Sequence, residues 1–161
     1  MRIDRSKLNK NRINEFSEYI SFSKEEYAQV SMLRDIKSCH VDCKVNDYGT
    51  IIEVDLSLHA DLVLECSYSL EDVDYPMEHQ EVLEFSDEIE DEDIIPFNGN
   101  SIELDNYILE IIIAKLPLRI KKQNAKTIEV KGVRVMSEDE LEEERNSTLD
   151  PRLKALDDWE E

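Results

Sequence analysis

The feature that most constrains this chain is the alternating stretch "IIEVDLSLHADLVLEC". Apolar side chains recur at every second position from Ile52 to Cys66, with carboxylate, serine and histidine side chains between them. A period of two places the apolar and polar sets on opposite sides of an extended strand. This pattern is typical of an antiparallel sheet that buries one face and leaves the other in water.

The same alternation extends to both sides of this stretch. Residues 39–45 alternate in "CHVDCKV", and residues 73–85 alternate again, with turn sequences "NDYG" and "SYSLED" between the runs. We therefore predict antiparallel strands within residues 36–85. Pro76 has no N–H group to donate, which indicates an edge strand or a bulge.

The helical signals lie outside this region. A period near 3.6 predicts a helix over residues 101–117, capped by Ser101 and ended by Pro117. Ser23 followed by Glu26 is typical of a helix start near the N-terminus. We expect an α+β fold: an antiparallel, barrel-like sheet with a packed Leu-Pro helix and short terminal helices. The predicted single domain divides into an N-terminal arm and helix (1–35), strands (36–85), an acidic loop (86–100), the Leu-Pro helix (101–117) and a basic strand region with C-terminal helices (118–161).

The charge of the chain is −20 and is unevenly distributed. Residues 48–110 contain no lysine or arginine and 19 carboxylates, whereas residues 111–136 carry a net charge of +6. An acidic surface repels phosphate backbones and attracts basic partners, although it also serves solubility. We predict that a basic partner binds the carboxylates on the outer strand face and these residues: Glu71, Asp72, Asp74, Asp87, Glu88, Glu90, Asp91, Glu92 and Asp93.

One basic segment, residues 115–134, offers an alternative site. Its cations have no aromatic residues among them, which weakens the case for binding single-stranded RNA. They either contact ribosomal RNA or pair with the acidic surface of the same protein. The cations are Lys115, Arg119, Lys121, Lys122, Lys126, Lys131 and Arg134.

No motif for catalysis or metal binding stands out. Cys39 and Cys43 would lie about 13 Å apart on a strand, too far to share a zinc ion that needs each sulfur at about 2.3 Å. The nucleophile, nucleotide and dinucleotide motifs are absent from the sequence. We therefore predict no catalytic residue, no metal and no cofactor, with a carboxylate-based hydrolase as a remote alternative.

The expected compartment is the cytoplasm, without membrane contact. No apolar run reaches the roughly 18–20 residues that span a bilayer, and the N-terminal residues lack the apolar centre of a secretory signal. Three cysteines without paired spacing fit reduced thiols. The oligomeric state stays open.

Three motifs in order resemble the YceD family, the large ribosomal RNA subunit accumulation proteins. "LECSYSLEDV" is similar to the family's Cys-x-Arg-Cys-Leu-x-x-Val segment, "IELDNYILEIIIAKLP" to its apolar helix ending in Leu-Pro, and "DPRLKAL" to its Asp-Pro-Arg-x-x-x-Leu signature. The resemblance extends from about residue 36 to the end. The residues that carry it are Cys66, Leu70, Val73, Leu116, Pro117, Asp150, Pro151 and Arg152.

The resemblance also shows what this chain lacks. Ser69 stands where the family has a second cysteine, and Val130 and Arg134 stand where many relatives have two more. One thiolate cannot build a tetrahedral zinc site, so Cys66 is interpreted as the remnant of a metal-ligand pair.

The resemblance implies a role in ribosome biogenesis. We expect a non-enzymatic, acidic factor that supports accumulation or maturation of large-subunit ribosomal RNA by binding a basic ribosomal protein or a large-subunit precursor. Direct RNA binding through residues 115–134 is the alternative.

Overall fold

A computed structural model of the chain describes residues 1–10, 12–88, 91, 93–122, 129–130 and 133–134. About half of this part is strand, and it contains a single α-helix. A short 3-10 turn, Arg5–Lys7, follows the first strand. The elements are β1 (Arg2–Asp4), β2 (Asn14–Tyr19), β3 (Leu33–Asp47), β4 (Ile52–Glu65), β5 (Asp72–Ser86), β6 (Ile95–Pro96), β7 (Ser101–Glu103), α1 (Asp105–Ala114), β8 (Glu129–Val130) and β9 (Val133–Arg134).

The main sheet has the strand order β2-β3-β4-β5-β6. Its first four strands are antiparallel, and β6 pairs in parallel with the end of β5. Gly49, at φ 91°, allows the tight turn between β3 and β4. The Asp47 carboxylate supports that turn by accepting a hydrogen bond from the Gly49 N–H at 2.8 Å. Separately, β1 pairs with β7, and β8 pairs with β9.

The core lies between one face of this sheet and α1. On β3 and β4 every second side chain is buried over the central part of each strand, as the alternation predicts. The helix contributes Ile108 and Ile112, both fully buried, and Tyr107, whose ring meets Phe85 edge-on at 5.4 Å. The three strands predicted within residues 36–85 are confirmed.

The predicted α+β, barrel-like fold class is wrong. The described chain is mostly β-sheet with one helix, and its main sheet is open, with β2 and β6 at its two ends. Closure into a barrel requires the first and last strands to pair along their length. The two-residue β6 is too short to form such a seam. The short helices predicted near the C-terminus lie outside the described residues.

Both predicted helix starts differ from the structure. Ser101 belongs to β7 and lies opposite Asp4, so α1 begins only at Asp105 and lacks a side-chain cap. Near the N-terminus, the Glu26 carboxylate accepts hydrogen bonds from the Ser23 N–H at 2.6 Å and hydroxyl at 2.8 Å. These bonds close a turn without a following helix, because a few residues are too short to propagate one.

Arg5 joins distant parts of the chain. Its guanidinium donates to Asp87 Oδ2 at 3.0 Å and to the Gly49 carbonyl, and it lies 5.7 Å from the Phe97 ring centroid. Arg5 Nε is also 4.0 Å from Asp47 Oδ2, a fully buried oxygen without a hydrogen-bond partner in the described chain. Arg5 therefore compensates the charge of a carboxylate that has left water.

Replacing Arg5 tests this role. Arg5→Ala should lower the free energy of unfolding by about 3 kcal/mol, because it leaves a buried carboxylate without its cation. Urea denaturation measures the change. Lys7→Ala is the control, since Lys7 is exposed and its ion pair with Asp4 is solvated, so that its loss should change stability little. Equal stability of the two variants would contradict the assignment.

Candidate functional site

The face of β3, β4 and β5 that points away from the core is rich in carboxylates. The register places Glu53 directly opposite Glu84, and Asp55 between Lys44 and Val82. The alternation that buries the apolar side chains therefore gathers acidic ones on the opposite side. We call this surface the carboxylate face and define it by Asp42, Glu53, Asp55, Asp61, Glu78 and Glu84.

The carboxylate face is only partly neutralised within the described part of the chain, where Lys44 lies opposite Asp55 and Lys37 interacts electrostatically with Asp61. Asp61 accepts a hydrogen bond from the Ser38 hydroxyl at 2.7 Å, and Glu78 lies 3.6 Å from His59 Nδ1. None of the ion pairs found among the described residues joins this face to a lysine or an arginine. Because its six carboxylates outnumber these two lysines, the carboxylate face keeps a negative local potential.

The shape of the carboxylate face can accommodate long cationic side chains. A shallow, open depression between β2 and β5 is lined by Glu15, Asp42 and Asp55 and also by Lys44, among others. Nearby, the exposed ring of Tyr19 lies 4.5 Å from the His40 ring. Carboxylates pair with ammonium and guanidinium groups, and an exposed aromatic ring attracts them further.

Several residues predicted to bind the partner instead contact cations of the same chain. The sequence prediction rested on local acidity, whereas these ion pairs join segments far apart in sequence. Long-range pairs of this kind have no local sequence signal. The pairs are Glu71 with Lys122 at 3.3 Å, Asp74 with Lys37 at 2.5 Å, and Asp87 with Arg5 at 3.0 Å.

The other predicted acidic residues that the structure describes are less closely clustered than those of the carboxylate face. Asp72 begins β5, and Glu88, Asp91 and Asp93 are exposed in the segment that follows it. Glu90 and Glu92 lie outside the described residues. The predictions for these side chains stay predictions, and the fold brings none of the four described ones onto the central part of the sheet.

The basic segment is partly paired with the chain's own carboxylates. Lys115 Nζ lies 3.3 Å from Glu81 Oε2, which His79 also contacts at 2.7 Å. The hydrogen bond with His79, and then the one with Lys115, holds the pKa of Glu81 below its usual value. Lys121 Nζ lies 5.6 Å from the Tyr68 ring centroid.

The remaining predicted cations are described less completely. Arg119 is exposed, and Arg134 lies in β9, where only the backbone is described. Lys126 and Lys131 lie outside the described residues. The predicted RNA contacts stay predictions.

Cys66 lies in the turn between β4 and β5. Its Sγ accepts hydrogen bonds from the backbone N–H groups of Ser69 and Lys122, both at 3.4 Å. The N–H of Leu70 donates to the Cys66 carbonyl at 3.0 Å, with Leu70 in the left-handed region at φ 57°. The segment after Leu116–Pro117 therefore crosses the turn that holds Cys66, which joins two of the motifs seen in the sequence.

The environment of Cys66 favours a thiolate. Burial raises the pKa of its thiol, but hydrogen bonds from the Ser69 side chain and from nearby backbone N–H groups outweigh burial and lower the pKa to about 7. Burial instead raises the pKa of Cys39 to about 11 and that of Cys43 to about 12.

Within the ranges that the structure describes, no three histidine, cysteine, aspartate or glutamate side chains come together in a way that could hold an ion. The side chains of Val130 and Arg134, the positions at which the family resemblance predicts cysteines, are not described.

The geometry defines a mostly β protein with an acidic, solvated sheet face and a Leu-Pro helix on its core side. The chain belongs to the family of the large ribosomal RNA subunit accumulation protein YceD, whose family model matches residues 54–158. The predicted family is thus confirmed. The match begins within β4 and includes the Asp150–Arg152 motif, which lies outside the described residues. No curated protein and no solved structure matches the chain.

The family description gives a role in accumulation of large-subunit ribosomal RNA, and hence in ribosome biogenesis. No helix in the described ranges combines the length and the apolar character needed to cross a bilayer.

The Cys66 assignment is testable by titration. In Ser69→Ala the pKa of Cys66 should rise above about 7, because the Ser69 side chain that lowers the pKa by hydrogen bonding is lost while the backbone N–H is kept. The ¹³Cβ chemical shift of Cys66 as a function of pH reports the change. Ser67→Ala is the control, since the Ser67 hydroxyl accepts from the Ile120 N–H and is not among the groups that shift the thiol. Identical titrations of the two variants would refute the assignment.

Proposed function

We propose that this protein supports large-subunit biogenesis without catalysing a reaction, by holding a basic ribosomal protein, alone or in a precursor particle, on its carboxylate face. The observation that carries the proposal is the gathering of six carboxylates on one solvated sheet face. None of them forms an ion pair with a lysine or arginine of the described chain, although Lys44 lies opposite Asp55 in the strand register. Ribosomal proteins that bind RNA must present cations to phosphate. A polyanionic sheet is complementary to such a surface.

Repulsion between carboxylates on this face destabilises the free protein, and this supports the same conclusion. Glu53 and Glu84 lie directly opposite each other on neighbouring strands, an arrangement of like charges that destabilises a sheet. A cation bound between them would remove that repulsion. Repulsion within this surface destabilises the free protein, and a bound cation relieves it. This difference is expected of a docking site.

The charge distribution sets the expected behaviour of the complex. Steering by the net charge of −20 speeds association with a cationic partner, and salt screens it over a Debye length of about 8 Å at physiological ionic strength. The same field opposes contact with RNA. Lys115 and Lys122 are already paired with Glu81 and Glu71, so we do not advance direct RNA binding as a second function.

The carboxylate face also gives little support to a hydrolase. Its acidic side chains stand on a broad, open sheet surface in contact with water. Catalytic carboxylates that act as acid and base usually need shielded surroundings that separate their pKa values. We therefore propose a binding function for this face.

A charge-neutralising variant tests the proposal. Asp55→Asn, Glu78→Gln and Glu84→Gln, combined, should weaken binding of a purified basic large-subunit ribosomal protein about 10-fold or more, because each removed charge loses a cationic contact. Titration calorimetry at low and at high salt measures the affinity. The salt dependence of binding should also decrease in this variant.

The matched control removes the same number of charges from other exposed positions. Glu25→Gln, Glu103→Gln and Glu110→Gln, combined, should leave the affinity within about twofold of the unmodified protein. Equal weakening by both variants would mean that net charge, rather than the carboxylate face, determines binding. Absence of salt-sensitive binding by the unmodified protein would reject the proposed function.

A further inference from the structure

Among the described residues, most of one edge of the strand β5 has no neighbouring strand. Its pairing with β4 is continuous from Asp72 to Phe85, while on its other side β6 pairs only with Phe85 and Ser86. In the part of the chain that the structure describes, no strand lies beside Asp72–Glu84 on the side away from β4. An open edge of this kind presents peptide groups ready to pair with another chain.

Two hydrogen bonds show which peptide groups point outward. The Glu71 carbonyl accepts from the Cys66 N–H at 2.8 Å, so odd-numbered residues direct their peptide groups toward β4. The Ser86 carbonyl accepts from the Phe97 N–H at 3.1 Å, on the opposite side. Since the β4–β5 register has no shift, the even-numbered residues of β5 all direct their peptide groups outward.

Pro76 agrees with this assignment. It is even-numbered, so the N–H that proline lacks would have pointed away from β4 and its absence leaves the ladder intact. Beyond Pro76, the outward donors are uninterrupted from Glu78 to Glu84. The stretch from Met77 to Glu84 is about 25 Å long, at about 3.3 Å per residue.

The side chains of the same even-numbered residues lie on the carboxylate face. Glu78 and Glu84 belong to that face, with Gln80 and Val82 exposed between them. No lysine or arginine occurs anywhere in β5, which carries five carboxylates. The free edge therefore combines open backbone groups with a row of negative charge.

This charge pattern decides between possible occupants. A second copy of β5 would bring like charges opposite each other, which destabilises strand pairing. An extended segment with lysine or arginine at alternate positions would place its cations beside Glu78 and Glu84. Its intervening side chains would lie on the opposite face, next to Met77 and Leu83, which are buried or half-buried.

We propose that the edge of β5 from Met77 to Glu84 binds an extended lysine- or arginine-rich segment of the basic partner as an additional strand. This inference rests on the proposed function and adds the mode of binding. Backbone hydrogen bonds would provide affinity, and the alternating carboxylates would select the charge pattern of the segment.

A proline substitution tests the free edge of β5 without removing a hydrogen bond between β4 and β5. Val82→Pro removes one outward N–H, as Pro76 already does, and should weaken binding of a synthetic nine-residue peptide of alternating lysine and valine about 10-fold. Val82→Thr keeps the N–H and should bind as the unmodified protein does. Fluorescence anisotropy measures both, and circular dichroism checks that both variants fold.

A modified peptide gives the same test on the unmodified protein. N-methylation of the peptide's N–H groups that face β5 should abolish binding. N-methylation of the alternate N–H groups, which point away from β5, should leave binding unchanged. This readout stays decisive if Val82→Pro does not fold.

The outcomes separate the mode of binding from the function. If the basic ribosomal protein binds with salt sensitivity but Val82→Pro and peptide methylation have no effect, the edge is not used and the proposed function stands. If the unmodified protein binds no basic probe, the binding mode and the proposed function are both overturned. A dimer that Val82→Pro dissolves would show that a second copy occupies the edge, which contradicts the inference.

Discussion

The uninterrupted antiparallel register between β4 and β5 is the constraint on which the rest of this structure depends. It extends from the Ile52–Phe85 pair to the Glu65–Asp72 pair without a shift. Because side chains alternate with a period of two, a slip by one residue would expose Val54 and bury Asp55. The apolar core and the carboxylate face are therefore two results of one register, and neither can change without the other.

The core compensates for the repulsion on the opposite face. The inward side chains of β3 and β4 are almost completely buried, and Ile108 and Ile112 of α1 cover them. Each fully buried aliphatic side chain stabilises the fold by about 1.5–3 kcal/mol, whereas opposed carboxylates such as Glu53 and Glu84 cost less than about 1 kcal/mol. The fold can thus carry a surface that is arranged for a partner rather than for its own stability.

The sequence predicts the strands well because their signal is local. Alternation over residues 36–85 needs no knowledge of partners. The sequence could not predict that β7 begins at Ser101, since its pairing with β1 joins residues about a hundred positions apart. Likewise, hydrogen bonds typical of a helix start at Ser23 form in a turn, because the following residues do not continue the helix. The openness of the sheet depends on the two-residue length of β6, which alternation does not reveal.

The candidate site was only partly predictable for the same reason. Local acidity predicts a site within residues 71–93, but Glu71 and Asp87 contact cations from distant segments. The carboxylates of β4 are separated in sequence by apolar residues and gather only when neighbouring strands align. The alternation itself was the available signal for them, since it places Glu53, Asp55 and Asp61 on the solvated side.

Amide hydrogen exchange along β5, measured by NMR with and without a basic large-subunit ribosomal protein, tests the central claim most directly. In the free protein the odd-numbered amides, such as those of His79 and Glu81, should be protected, and the even-numbered amides of Gln80 and Val82 should exchange rapidly. The basic protein should slow exchange at the even-numbered amides and shift the carboxylate signals of Glu78 and Glu84. Uniform protection in the free protein, or no change at β5 on binding, would contradict the account.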